Sequence, residues 1–181
     1  MVRSPSLLLL CGLALSAGFA SLSAQQQDVL YSVQGGATIP HGSVADELDT
    51  GFHVVGVAEI DRGIFPRFVR GEVGLHLLRR DDEEQQYISV SGALRIPIAE
   101  VRGTSAYLVG GLGFYRTSFT RSFETIEGQA SGASVDFGAN GGVGFERPAG
   151  PVRVFGEVRV HSIAADRGGE RLIPVGIGIR F

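Results

Sequence analysis

The segment Val152 to His161, VRVFGEVRVH, sets Val152, Val154, Gly156, Val158 and Val160 against Arg153, Phe155, Glu157, Arg159 and His161. Successive side chains of a β-strand point to opposite faces, so this stretch reads as a strand with one apolar face and one strongly charged face. Leu172 to Phe181, LIPVGIGIRF, repeats the pattern, with Ile173, Val175, Ile177, Ile179 and Phe181 opposed to Pro174, Gly176, Gly178 and Arg180.

Working outward from these two, the same alternation marks eight segments: about Val29 to Ile39, Gly51 to Ile60, Arg67 to Leu78, Tyr87 to Ile98, Ser105 to Arg116, Ala133 to Glu146, Val152 to His161 and Leu172 to Phe181. Most run ten to twelve residues, close to the roughly 9 to 11 that a tilted strand needs to cross a bilayer and longer than the soluble mode of about 5 or 6. Longer polar connections at His41 to Thr50, Arg79 to Gln86, Thr117 to Gly132 and Ser162 to Arg171 alternate with short turns at Asp61 to Pro66, Ala99 to Thr104 and Arg147 to Pro151. Long loops on one rim and short turns on the other are how outer-membrane barrels are built. The fold expected is an all-β, eight-stranded antiparallel up-and-down transmembrane β-barrel.

Periodicity alone leaves the facing open, because a soluble barrel of the lipocalin kind turns its apolar face inward around a ligand. The polar face decides. It carries Glu59, Arg70, Glu72, Arg95, Asp136, Arg153, Glu157, Arg159 and Arg180, spaced mainly by Gly, Ser and Ala. Nearly balanced charge with small neighbours suits a narrow interior, where an unpaired ion is costly. The fifth segment is ambiguous. Ala106, Leu108, Gly110, Leu112 and Phe114 compete with Tyr107, Val109, Gly111, Gly113 and Tyr115 for the outside, and outward tyrosines would match an aromatic girdle.

The remaining composition narrows function. All 16 basic residues are Arg and the net charge is −3, which leaves no electrostatic footprint for nucleic acid. After residue 24 there is no apolar run of the roughly 18 residues a membrane helix needs. Arg3, the run Leu7 to Ala20 and the small residues Ser21 to Ala24 read as a secretory signal cleaved after Ala24, leaving residues 25–181 as one domain. An uncleaved anchor and lipidation at Cys11 are weaker readings. With the signal removed, the chain has no cysteine for disulfides, thiol catalysis or metal binding.

The signal ending at Ala24, the loop rhythm and the final strand Leu172 to Phe181 together resemble the small outer-membrane barrels of the OmpA transmembrane domain, OmpX and Ail. The resemblance covers residues 25 to 181, but its motifs are architectural. It implies the bacterial outer membrane as location and outer-membrane lipid as surroundings. It also implies that Val175, Ile177, Ile179 and Phe181 form the β-signal that the outer-membrane insertion machinery recognises. Activity is hardly implied at all.

The interior set Glu59, Arg70, Glu72, Arg95, Asp136, Arg153, Glu157 and Arg159 is expected to form a structural plug of ion pairs, since eight strands leave a bore just wide enough for side chains. A narrow pore is the alternative. Some barrels of this kind are lipid A deacylases, and His161, Ser162 and Glu170 invite the comparison; adjacent strand residues point apart, however, and the His-x-Ser spacing is missing. No enzyme activity and no cofactor are expected. His41, His53, His76 and His161 fall on separate elements without metal-ligand spacing. The acidic run Asp81 to Glu84 reads as a solvated loop tip rather than a cation site. The expected role is therefore structural or surface-interacting, for a monomer whose outer loops, above all Thr117 to Gly132 with Phe119, Phe123 and Ile126, meet an extracellular ligand.

Overall fold

A computed structural model describes residues 29–61, 68–80, 83–123, 128–165 and 169–181. The expected signal segment and nearly all of the expected turn Asp61 to Pro66 lie outside the described residues. Eight strands follow one another: β1 (Val29–His41), β2 (Gly51–Asp61), β3 (Phe68–Arg80), β4 (Glu83–Val101), β5 (Thr104–Phe123), β6 (Gly128–Ala149), β7 (Val152–Ile163) and β8 (Glu170–Arg180). Each pairs antiparallel with the next, and β8 returns to β1 through a register from Ser32↔Arg180 to His41↔Arg171, so the sheet closes into a barrel. Closure removes the unpaired edges that would otherwise recruit other chains.

The facing is inverted relative to a soluble protein. Ile177 is 74% exposed and Val135 66%, while Glu59 and Arg70 are 0% and 1% exposed. Large apolar side chains are the residues soluble folds bury first, and ions the ones they bury last. The soluble, inward-apolar alternative therefore does not fit the fold. In β5 the ambiguity resolves with Tyr107, Val109 and Tyr115 buried inside and Leu108, Leu112 and Phe114 outside. Room for the two rings comes from the next strand. A Cβ at Gly144 would collide with the Tyr107 ring, and one at Gly138 would lie 2.6 Å from the Tyr115 ring.

Three strands exceed their expected lengths: β4, β5 and β6 have 19, 20 and 22 residues. The expected loops Arg79 to Gln86 and Thr117 to Gly132 are mostly continued hairpin, paired as far as Arg80↔Glu83 and Phe123↔Gly128. Alternation is a signal of two unlike faces, and it fades where both faces are polar, whereas the backbone ladder needs no such pattern. The Phe119 ring lies over Gly132 of the facing strand. Because the β6–β7 register ends at Gly138↔Ile163, residues 128–136 of β6 pair with β5 alone among the described residues.

The turn expected over Ala99 to Thr104 narrows to Arg102 and Gly103, both at positive φ (51° and 77°), as a two-residue hairpin of matching twist requires. The connection His41 to Thr50 holds the short helix α1 (Ser43–Glu47), closed by Leu48 N donating to Val44 O at 3.0 Å. Val44 and Leu48 point down into the barrel mouth and pack with Leu78, Tyr87, Tyr115, Ile163 and Leu172 as one apolar cluster. Arg80 fastens this cap from the rim by donating to Asp46 O at 2.6 Å.

Candidate functional site

Three features of the barrel bear on function: its outer face, the two tiers filling its lumen, and the sheet projecting above it. Between Val29 and Ile39 of β1, Phe52 and Ile60 of β2, Val69 and Leu77 of β3, Ile88 and Ile98 of β4, Ala106 and Phe114 of β5, Val135 and Phe145 of β6, Val152 and Val160 of β7, and Ile173 and Phe181 of β8, the outward side chains are apolar apart from Tyr31. Charge on the outward face begins only beyond this band, at Arg79, Glu84, Arg116 and Arg171 on the long-loop rim and Arg147 on the other. Val175, Ile177, Ile179 and Phe181 all lie on this outward face, 39 to 74% exposed.

The tier nearer the short turns is ionic. Glu157 Oε1 accepts from Arg70 Nη1 and Tyr107 Oη, both at 2.8 Å, and its Oε2 accepts from Arg159 Nε at 2.8 Å and Nη2 at 2.6 Å. Glu72 takes Arg159 Nη1 at 2.6 Å and Nη2 at 2.9 Å, a bidentate pair, with Arg70 Nε at 3.1 Å. Glu59 joins Arg70, Arg95 and Arg180 at 3.4, 3.3 and 3.3 Å. Glu146 holds Arg95 at 3.1 Å, Arg153 at 2.5 Å and Arg180. Four carboxylates thus meet four fully enclosed guanidiniums, with Arg153, its side chain 43% exposed, closing the lower end. The Arg95 guanidinium also stacks 4.2 Å from the Tyr107 ring centroid. Buried ions stay charged only when each is matched in this way.

Above it lies an uncharged tier. Thr38 Oγ1 stands 3.1 Å from His53 Nδ1 and 3.0 Å from His76 Nδ1, and Tyr115 Oη stands 3.2 Å from His161 Nδ1. The imidazoles pack in a row, with ring centroids 5.4 Å apart from His53 to His76 and 5.5 Å from His76 to His161. One hydroxyl cannot donate to both Nδ1 atoms, so Thr38 donates to one imidazole and accepts from the other, fixing opposite tautomers. The remaining ring nitrogens diverge. His53 Nε2 lies beside Gly176 and Gln34, His76 Nε2 beside Gly74 and Ser89. Among the described residues no three His, Cys, Asp or Glu side chains are placed to hold a metal ion.

Of the residues singled out in the sequence, Glu59, Arg70, Glu72, Arg95, Glu157 and Arg159 converge in the ionic tier, and Arg153 borders it. Asp136 does not. It lies half-buried at the opposite, long-loop end, where it accepts from Ser134 Oγ at 2.6 Å. Alternation gives the face of a residue but not its height along the barrel, which is why Asp136 shares a face with the network without reaching it. Glu146 and Tyr107 are the network members sequence reasoning passed over. The histidine row was also missed as a unit, although folding the β2–β3 hairpin about its turn pairs His53 directly with His76. His161 points inward and Ser162 outward, so they cannot work as base and nucleophile.

No known family profile matches the sequence, and no curated protein does. The fold, however, is shared with solved structures. Neisserial surface protein A matches with a TM-score of 0.61 at 13% identity, over 84% of this chain and 94% of that one. A major outer membrane protein from Thermus thermophilus matches at 0.60 and 16% identity, over 84% and 98%. Ail, the attachment invasion locus protein of Yersinia pestis, matches at 0.56 and 16% identity, over 87% and 100%. The architecture is that of the small eight-stranded outer-membrane β-barrels.

Proposed function

We propose that residues 25–181 form an outer-membrane barrel, freed of a signal at residues 1–24, that anchors a surface-interaction sheet and carries no enzyme activity. The supporting observation is the apolar outward band, nine to eleven residues deep on each strand, wrapped around a lumen full of paired ions. That depth is what a tilted strand spends crossing hydrocarbon, and lipid is the solvent that tolerates such a surface. Val175, Ile177, Ile179 and Phe181 serve as the β-signal read by the insertion machinery. The plugged bore and the α1 cap support an anchor rather than a pore, working as a monomer surrounded by outer-membrane lipid.

The interaction surface on this reading is the outer sheet of β4, β5 and β6, whose β6 edge at 128–136, paired with β5 alone among the described residues, would add a strand from a partner outside the cell. A solved complex of Ail holds the heparin analogue sucrose octasulfate, a polyanion. The outer segments here, residues 41–50, 79–86, 117–132 and 162–171, hold eleven acidic residues against five arginines, so a basic partner suits this surface better.

Topology tests the reading directly, because the chain without its signal contains no cysteine. Ser131→Cys should react with a membrane-impermeant maleimide on intact cells, and Arg102→Cys only after the outer membrane is opened. Equal labelling of both on intact cells, or recovery of the protein in the soluble fraction, would refute it.

A further inference from the structure

We propose that the histidine tier makes the α1 cap acid-labile: neutral imidazoles hold the apolar plug in place, and proton uptake by His53, His76 and His161 releases it. The three rings are at most 6% exposed, and their side-chain partners are hydroxyls, Thr38 shared by two of them and Tyr115 at the third. Tyr115 belongs at once to this tier and to the cap cluster with Val44 and Leu48, so the two are mechanically joined.

The groups facing the row offer an imidazolium nothing to pair with. β1 contributes Thr38 and Gln34, β4 Ser89 and Tyr87, β5 Tyr115 and β6 Asn140, all uncharged at neutral pH. From β7 comes Arg159, a cation, and behind it Glu72 of β3 is already held bidentately by that arginine. A positive charge would therefore meet a like charge and a saturated carboxylate in a buried bore. Glu170 of β8, at the outer rim, is held above the usual carboxylate range by burial. Its protonation favours the buried state, so on acidification it opposes release and cannot mimic it.

Imidazoles in water titrate near pH 6.5, so opening that takes up one proton becomes about tenfold more populated per pH unit below that value. The test is amide hydrogen exchange of the refolded chain in detergent micelles, reading the protection factors of Ala45 and Leu48 from about pH 7.5 to about pH 5. Protection should fall at least tenfold across this range. The fall should flatten in His76→Gln and vanish in H53Q/H76Q/H161Q, and persist in Glu170→Gln. Constant protection in the unaltered chain would overturn the proposal even if the triple variant does not fold. An unchanged fall in a folded triple variant would overturn it equally. None of these readouts depends on finding an extracellular partner.

Discussion

The two tiers of the lumen fill one bore with opposite chemistry. In the lower tier every carboxylate is shared between at least two guanidiniums, and Glu157 alone receives Arg70, Arg159 and the Tyr107 hydroxyl. In the upper tier the side-chain bonds of the histidine row run through two hydroxyls, one at Thr38 and one at Tyr115. Ions buried together fix one another's positions, because no member can leave without stranding the rest. Neutral rings and hydroxyls impose no such condition. The lower tier is therefore the rigid part of the plug and the upper tier its adjustable part.

The strongest way to break this comparison is to remove a shared ion. Glu157→Ala should cost about 3 to 5 kcal/mol in urea unfolding from lipid vesicles, since Arg70 and Arg159 lose a common partner. A cost below about 1 kcal/mol, the scale of one neutral hydrogen bond, would mean the tiers do not differ. Next in size, Gly144→Ala should cost about 1 to 3 kcal/mol by driving a methyl into the Tyr107 ring. Gly56→Ala is its control, because a Cβ there meets nothing within 4 Å. Tyr115→Phe, in the upper tier, should cost only about 1 kcal/mol in the same unfolding assay. Smallest of all, Asp136→Asn should stay within about 0.5 kcal/mol, as for a rim residue outside the ion-pair network. A larger loss would restore Asp136 to the plug.

Barrel order and facing were legible from alternation in β7 and β8 because the outside and the lumen of the barrel impose unlike faces on every strand. The length of β5 and β6 was not, since above the apolar band the segment Thr117 to Gly132 has no face to distinguish while its ladder continues. The network was legible as a set of residue types but not as a set of heights. Asp136 and Glu146 share a face of β6 but stand at opposite ends of it, so one reaches the long-loop rim while the other meets Arg95 and Arg180. The β5 register turned on inward glycines of a neighbouring strand, and a single strand's pattern contains no such information.

The seam between β1 and β8 has a consequence for how the molecule assembles. Tyr31 and Phe181 exchange backbone bonds in both directions, at 3.0 and 2.9 Å. Every other ladder joins strands adjacent in sequence, whereas this one joins Ser32 to Arg180 across nearly the whole chain. Contacts of such separation are the slowest to form, because loop-closure entropy is lost before any bond rewards it. Until β8 arrives, β1 remains an open template that other chains can join. The rate-limiting event in folding should thus be the meeting of the first and last strands, and until then β1 is the part of the chain most exposed to mispairing.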